Sequence, residues 1–156
     1  MRSKSCKWFE CTCQYEKTME DGLQKKVKET NVVDALSFTE AEKRFIEEMS
    51  SYISGEFDVT AMKIAQYKEV FFNDADESAD RWYKVKLDFI TINEKTEKEQ
   101  HQKVTYLFQA GSFEQAKKAV VEVMGGTMID YVILKIEETN LWSVFEYAKK
   151  ESETEE

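Results

Sequence analysis

The chain contains no proline, only five glycines, a single histidine and three cysteines in 156 residues. Without proline, every strand keeps its amide donors and no helix is interrupted by a pyrrolidine ring. The few glycines form no Gly-rich phosphate loop and no nucleophile elbow. One histidine, His101, excludes a helix-borne histidine pair. No uninterrupted apolar run approaches the roughly 20 residues that span a bilayer. The opening Met1-Arg2-Ser3-Lys4-Ser5-Cys6-Lys7 lacks the apolar stretch of a signal peptide. These absences predict a cytoplasmic protein with no membrane contact.

The cysteines fit that compartment. Cys11 and Cys13 lie two apart in an alternating segment, so their side chains share one strand face and read as small core residues. With Cys6 they make three thiols, and no further Cys or His pair completes a tetrahedral metal set. No metal and no cofactor are expected. Nucleophilic catalysis lacks a base beside a nucleophile in any recognisable pattern. A non-enzyme is therefore expected, with no catalytic residue to name.

Charge is unbalanced towards acid, with a net value of −9. Much of it lies in Asp74-Ala75-Asp76-Glu77-Ser78-Ala79-Asp80 and in the tail after Tyr147. Both stretches read as solvated segments, a linker over 74–80 and a disordered acidic tail over 148–156.

What is present is a repeated pattern. Ser37-Phe38-Thr39-Glu40-Ala41-Glu42-Lys43 returns as Ser112-Phe113-Glu114-Gln115-Ala116-Lys117-Lys118, and Trp8-Phe9 returns as Trp82-Tyr83. A spacing of about 75 residues is too long for a solenoid and suits a duplicated half-domain. Phe9, Cys11, Cys13 and Tyr15 alternate with polar residues, as do Tyr83, Val85, Leu87 and Phe89, the mark of half-buried strands. Return strands are predicted at about 25–35 and 102–110. Ser37 with Glu40, and Ser112 with Gln115, have capping-box spacing ahead of helical apolar stripes. Met62-Lys63-Ile64 matches Leu134-Lys135-Ile136, which favours strands after each helix. Each half is then ββαβ(β): residues 1–73 and 81–147. The expected fold is α+β, a pseudo-twofold antiparallel sheet carrying two helices on one face. Two smaller sheets are the alternative.

The outward strand faces carry the candidate binding residues. Trp8 and Trp82 face away from the core rows, Trp82 shares its face with Lys84 and Lys86, and Lys26 and Lys28 lie on the first return strand. Aromatics interleaved with lysines can stack bases and track phosphates. The same tryptophans could instead cover sheet edges, seal the contact between halves, or anchor a protein partner or a second copy.

Trp8-Phe9-Glu10-Cys11, Tyr15 to Gly22, Val33 to Glu42 and Tyr52-Ile53-Ser54-Gly55-Glu56-Phe57 together resemble a domain-of-unknown-function family of Bacteroides-type bacteria and their phages. The resemblance implies an intracellular protein of phage or mobile-element origin and supplies no activity, cofactor or catalytic residue. The sequence reading is thus an accessory protein acting through protein contacts or self-association. The alternative is a single-stranded nucleic-acid binder using Trp8, Trp82, Lys84, Lys86, Lys26 and Lys28.

Overall fold

Alternating apolar residues produce nine strands and two capped helices in the computed structural model, which describes residues 1–147. In chain order these are β1 (Arg2–Lys4), β2 (Trp8–Thr18), β3 (Gln24–Asp34), α1 (Phe38–Tyr52), β4 (Phe57–Ala65), β5 (Glu69–Phe72), β6 (Arg81–Ile92), β7 (Glu99–Ala110), α2 (Phe113–Gly125), β8 (Asp130–Glu138) and β9 (Leu141–Phe145). The class is α+β. The tail expected over 148–156 lies outside the described residues.

The strands form two mixed sheets, ordered β1-β5-β7-β6-β8 and β4-β2-β3-β9. This corrects the single antiparallel sheet with both helices on one face. Each helix returns the chain onto its own hairpin, so β4 pairs with β2 and β8 with β6. Of the three remaining strands, β5 pairs in parallel with β7 and β9 with β3, and β1 pairs antiparallel with β5. The described residues divide into two compact units, one of residues 1–6 and 66–140, the other of 7–65 and 141–147.

In the four-stranded unit, β2 and β3 pair in register from Trp8↔Asp34 to Thr18↔Gln24. Gly22 closes this hairpin at a φ of 82°, a left-handed conformation that glycine adopts without steric cost. Phe9, Cys11, Cys13 and Val33 of the hairpin pack with Ala41, Phe45 and Met49 of α1. Cys11 and Cys13 are thus core residues. Burial, with Glu10 next, pushes the Cys11 thiol up to about 12.

In the five-stranded unit, Val85, Leu87, Phe89, Val104, Tyr106 and Phe108 meet Val120 and Met124 of α2. Phe71 of β5 stacks on Phe108 with ring centroids 4.4 Å apart and meets Tyr106 edge-on at 5.3 Å. The 74–80 stretch is an ordered turn: Asp76 Oδ1 accepts from the Ser78 amide at 2.9 Å and hydroxyl at 2.6 Å. Gln109 Nε2 donates to the Ala79 carbonyl at 3.0 Å.

Both helix starts are capped as expected. Ser37 Oγ accepts from the Glu40 amide and Ser112 Oγ from the Gln115 amide, each at 3.2 Å. The reciprocal bonds fall one residue earlier than in a standard capping box. Glu40 reaches the Leu36 amide at 3.3 Å and Gln115 the Gly111 amide at 2.9 Å. Among the described residues no helix is long and apolar enough to cross a membrane.

Candidate binding cleft

The tryptophans expected on open sheet faces are buried: Trp8 is 0% exposed and Trp82 is 5%. Trp82 meets Phe72 edge-to-face at 5.6 Å. A buried indole has no free face on which a base could stack, so the stacking platform built on Trp8 and Trp82 is absent. Period-two alternation shows which residues share a face, not whether that face is covered.

The lysines are distributed between the two units. Lys84 is half-buried, its Nζ 5.7 Å from the Tyr67 ring centroid, and exposed Lys86 stands opposite Thr105 and Lys135. Lys26 and Lys28 are exposed on β3, opposite Glu16 and Gln14. Lys84 and Lys86 belong to the five-stranded unit, Lys26 and Lys28 to the four-stranded one.

The structure brings together a different set. In the four-stranded unit, the C-terminal end of α1, the core-facing row of β2 and β3, and β9 enclose a cleft of about 290 Å³. Tyr15, Tyr52, Trp142 and Phe145 supply aromatic surface, and Asn31, Met49 and Ile53 also line it. Tyr52 and Phe145 are near-parallel, with centroids 6.0 Å apart and planes at 22°. Tyr52 is 71% exposed and Trp142 62%, which is unusual for rings of this size grouped in one recess.

Two polar side chains stand in this otherwise apolar row. Glu29 accepts a hydrogen bond from the Tyr15 hydroxyl at 2.7 Å. That bond, with burial second, pushes the Tyr15 phenol up to about 12. Asn31 is 1% exposed; its Nδ2 donates to the Met49 sulfur at 3.3 Å. Its Oδ1 is buried and has no hydrogen-bond partner among the described residues. A buried carbonyl left in this state costs about 1–3 kcal/mol.

Two larger recesses border the Gly55 turn, about 600 and 550 Å³, but apart from Gln14 and Tyr15 their polar lining residues are exposed to solvent. They offer no buried group in need of a partner. Elsewhere, His101 Nδ1 lies 2.7 Å from Asp88 Oδ2 on the β6–β7 hairpin, with Glu99 3.5 Å from Nε2. Asp88 holds the imidazole pKa above its ordinary value. No group of three His, Cys, Asp or Glu residues suited to a metal ion occurs among the described residues.

The cleft escaped sequence reading because its residues span positions 15 to 145 and converge only through the β3–β9 pairing. One signal was present. Glu29 and Asn31 occupy the same face as Val33, where alternation predicts apolar residues.

Together these features describe an α+β chain whose described residues form two helices and nine strands, with an aromatic cleft on one unit. Residues 7–147 match the family described as Domain of unknown function (DUF4494), and the chain belongs to that family. Neither the curated proteins nor the solved structures give a match.

Proposed function

We propose that this protein is a non-catalytic binding protein that holds a segment of a protein partner in the cleft formed by Tyr15, Glu29, Asn31, Tyr52, Trp142 and Phe145. One observation carries the reading: Asn31, whose buried Oδ1 has no hydrogen-bond partner among the described residues, lines a recess that also presents the exposed rings of Tyr52 and Trp142. Exposed aromatics around a partly desolvated polar group resemble the centre of a protein interface. Among the described residues the cleft lining holds no His, Cys or Lys, which favours binding over chemistry. The resemblance to sequences of Bacteroides-type bacteria and their phages supports an accessory role inside such a cell, of phage or mobile-element origin.

Affinity capture from the source cells tests the reading. It compares the wild type, a Tyr52→Ala/Trp142→Ala double variant and a control variant, Leu134→Ala, on β8. A partner kept by wild type and control but lost by the cleft variant, with unchanged circular dichroism, is the expected result. Equal capture by all three would refute it. Light scattering on the same samples separates a foreign partner from a second copy, since self-association would disappear with the cleft variant.

A further inference from the structure

Resting on that reading, we infer that the residue the cleft receives is an arginine side chain of the partner protein. The chemistry of the lining selects for it. Among the described residues the lining holds one charged side chain, Glu29, and it is acidic. The chain as a whole carries −9, which favours a basic partner. The Glu29 carboxylate and Asn31 Oδ1 are acceptors, and the hydroxyls of Tyr15, Tyr52 and Ser143 that share the lining can accept as well as donate, so a ligand that brings donors fits the cleft. A carboxylate accepts several hydrogen bonds, and the Tyr15 hydroxyl uses only part of that capacity.

Geometry narrows the choice between cations. Glu29 and Asn31 are two residues apart on one face of β3, hence about 7 Å apart along the strand. A guanidinium presents diverging N–H groups in one plane and can donate to both, whereas an ammonium is a point charge. Its planar face also stacks on aromatic rings, and Tyr52, Trp142 and Phe145 supply such surface. A cleft of about 290 Å³ accommodates one long side chain and not a folded domain.

The test uses the full chain and short blocked peptides, Ac-Gly-Arg-Gly-NH₂, its lysine analogue and its citrulline analogue. Nitrogen-15 NMR follows the Trp142 indole, the Asn31 side-chain amide and the Ser143 amide. The arginine peptide should shift these three signals saturably, the lysine peptide less, and the uncharged citrulline peptide least. Glu29→Gln, which still accepts from Tyr15, should weaken the arginine peptide about tenfold, the size of a lost charge-assisted bond. If citrulline shifts the signals as strongly, or if Glu29→Gln changes nothing, the arginine assignment is overturned while the cleft reading stands. If none of the peptides moves the signals, the assignment also falls. The capture experiment then decides the cleft reading independently.

Discussion

Replacing Asp34 should destabilise the four-stranded unit by an amount that depends on what is removed. Asp34 ends β3 and is 5% exposed. The Arg44 guanidinium of α1 donates to its carboxylate and to its backbone carbonyl, and both side chains are largely buried. The Tyr147 amide donates to Asp34 Oδ1 at 2.8 Å, and the Arg44 guanidinium lies 5.1 Å from the Tyr147 ring centroid. Asp34→Ala leaves a buried guanidinium without its counter-charge and strips the Tyr147 amide of its acceptor, an expected loss of about 3–5 kcal/mol. Asp34→Asn keeps an acceptor for that amide and removes only the charge, for about 1.5–3 kcal/mol. With a urea slope of about 2 kcal/mol/M, the alanine variant should shift the midpoint by about 2 M. Hydrogen exchange of β2 and β3 peptides would place the loss in this unit. Adding Arg44→Met to Asp34→Ala should recover part of it, because the orphaned charge is then gone. Equal losses for alanine and asparagine, or no recovery in the double variant, would refute the reasoning.

Three further outcomes are expected. Ser37→Ala and Ser112→Ala should each cost about 1 kcal/mol in urea denaturation, and Ser112→Gly only a few tenths, since both serines satisfy a first-turn amide. Asp88 raises the His101 pKa, so the stabilisation is fully present below the ordinary histidine value near 6.5. It is lost as pH rises through the higher folded value. An NMR titration should show the raised midpoint, and Asp88→Asn should return it towards 6.5. Because Cys11 is buried with its thiol held near 12 and Cys13 is buried and also raised, a thiol reagent should label Cys6 in the folded protein and reach the other two only on unfolding.

Local chemistry was legible in the sequence, and non-local pairing was not. The serines at 37 and 112 declare their helices because capping depends on residues three apart. The alternation of Phe9, Cys11 and Cys13 likewise declares a core face. Nothing local tells Leu141–Phe145 to pair in parallel with β3, or Glu69–Phe72 with β7. Those two pairings make each of the two sheets mixed, where one antiparallel sheet was expected. The same limit applies to Trp8 and Trp82: their strand face was legible, their burial was not.

The polar row of β3 is best judged against β7, which has the same hairpin register. Opposite Phe9, Cys11 and Cys13 stand Val33, Asn31 and Glu29; opposite Tyr83, Val85 and Leu87 stand Phe108, Tyr106 and Val104. In the five-stranded unit, Phe71 faces Phe108 across the parallel pairing and closes the space with stacked rings. In the four-stranded unit, Phe145 faces Val33 in the same way, but the neighbouring positions are a carboxylate and an amide, and the space stays open. Apolar residues of similar size at 29 and 31 would continue the core row and leave no buried carbonyl unpaired. Stability alone therefore favours the β7 arrangement. A departure from the local rule in only one of two matching rows, beside exposed Tyr52 and Trp142, is the kind found where a chain is shaped to bind and not merely to fold.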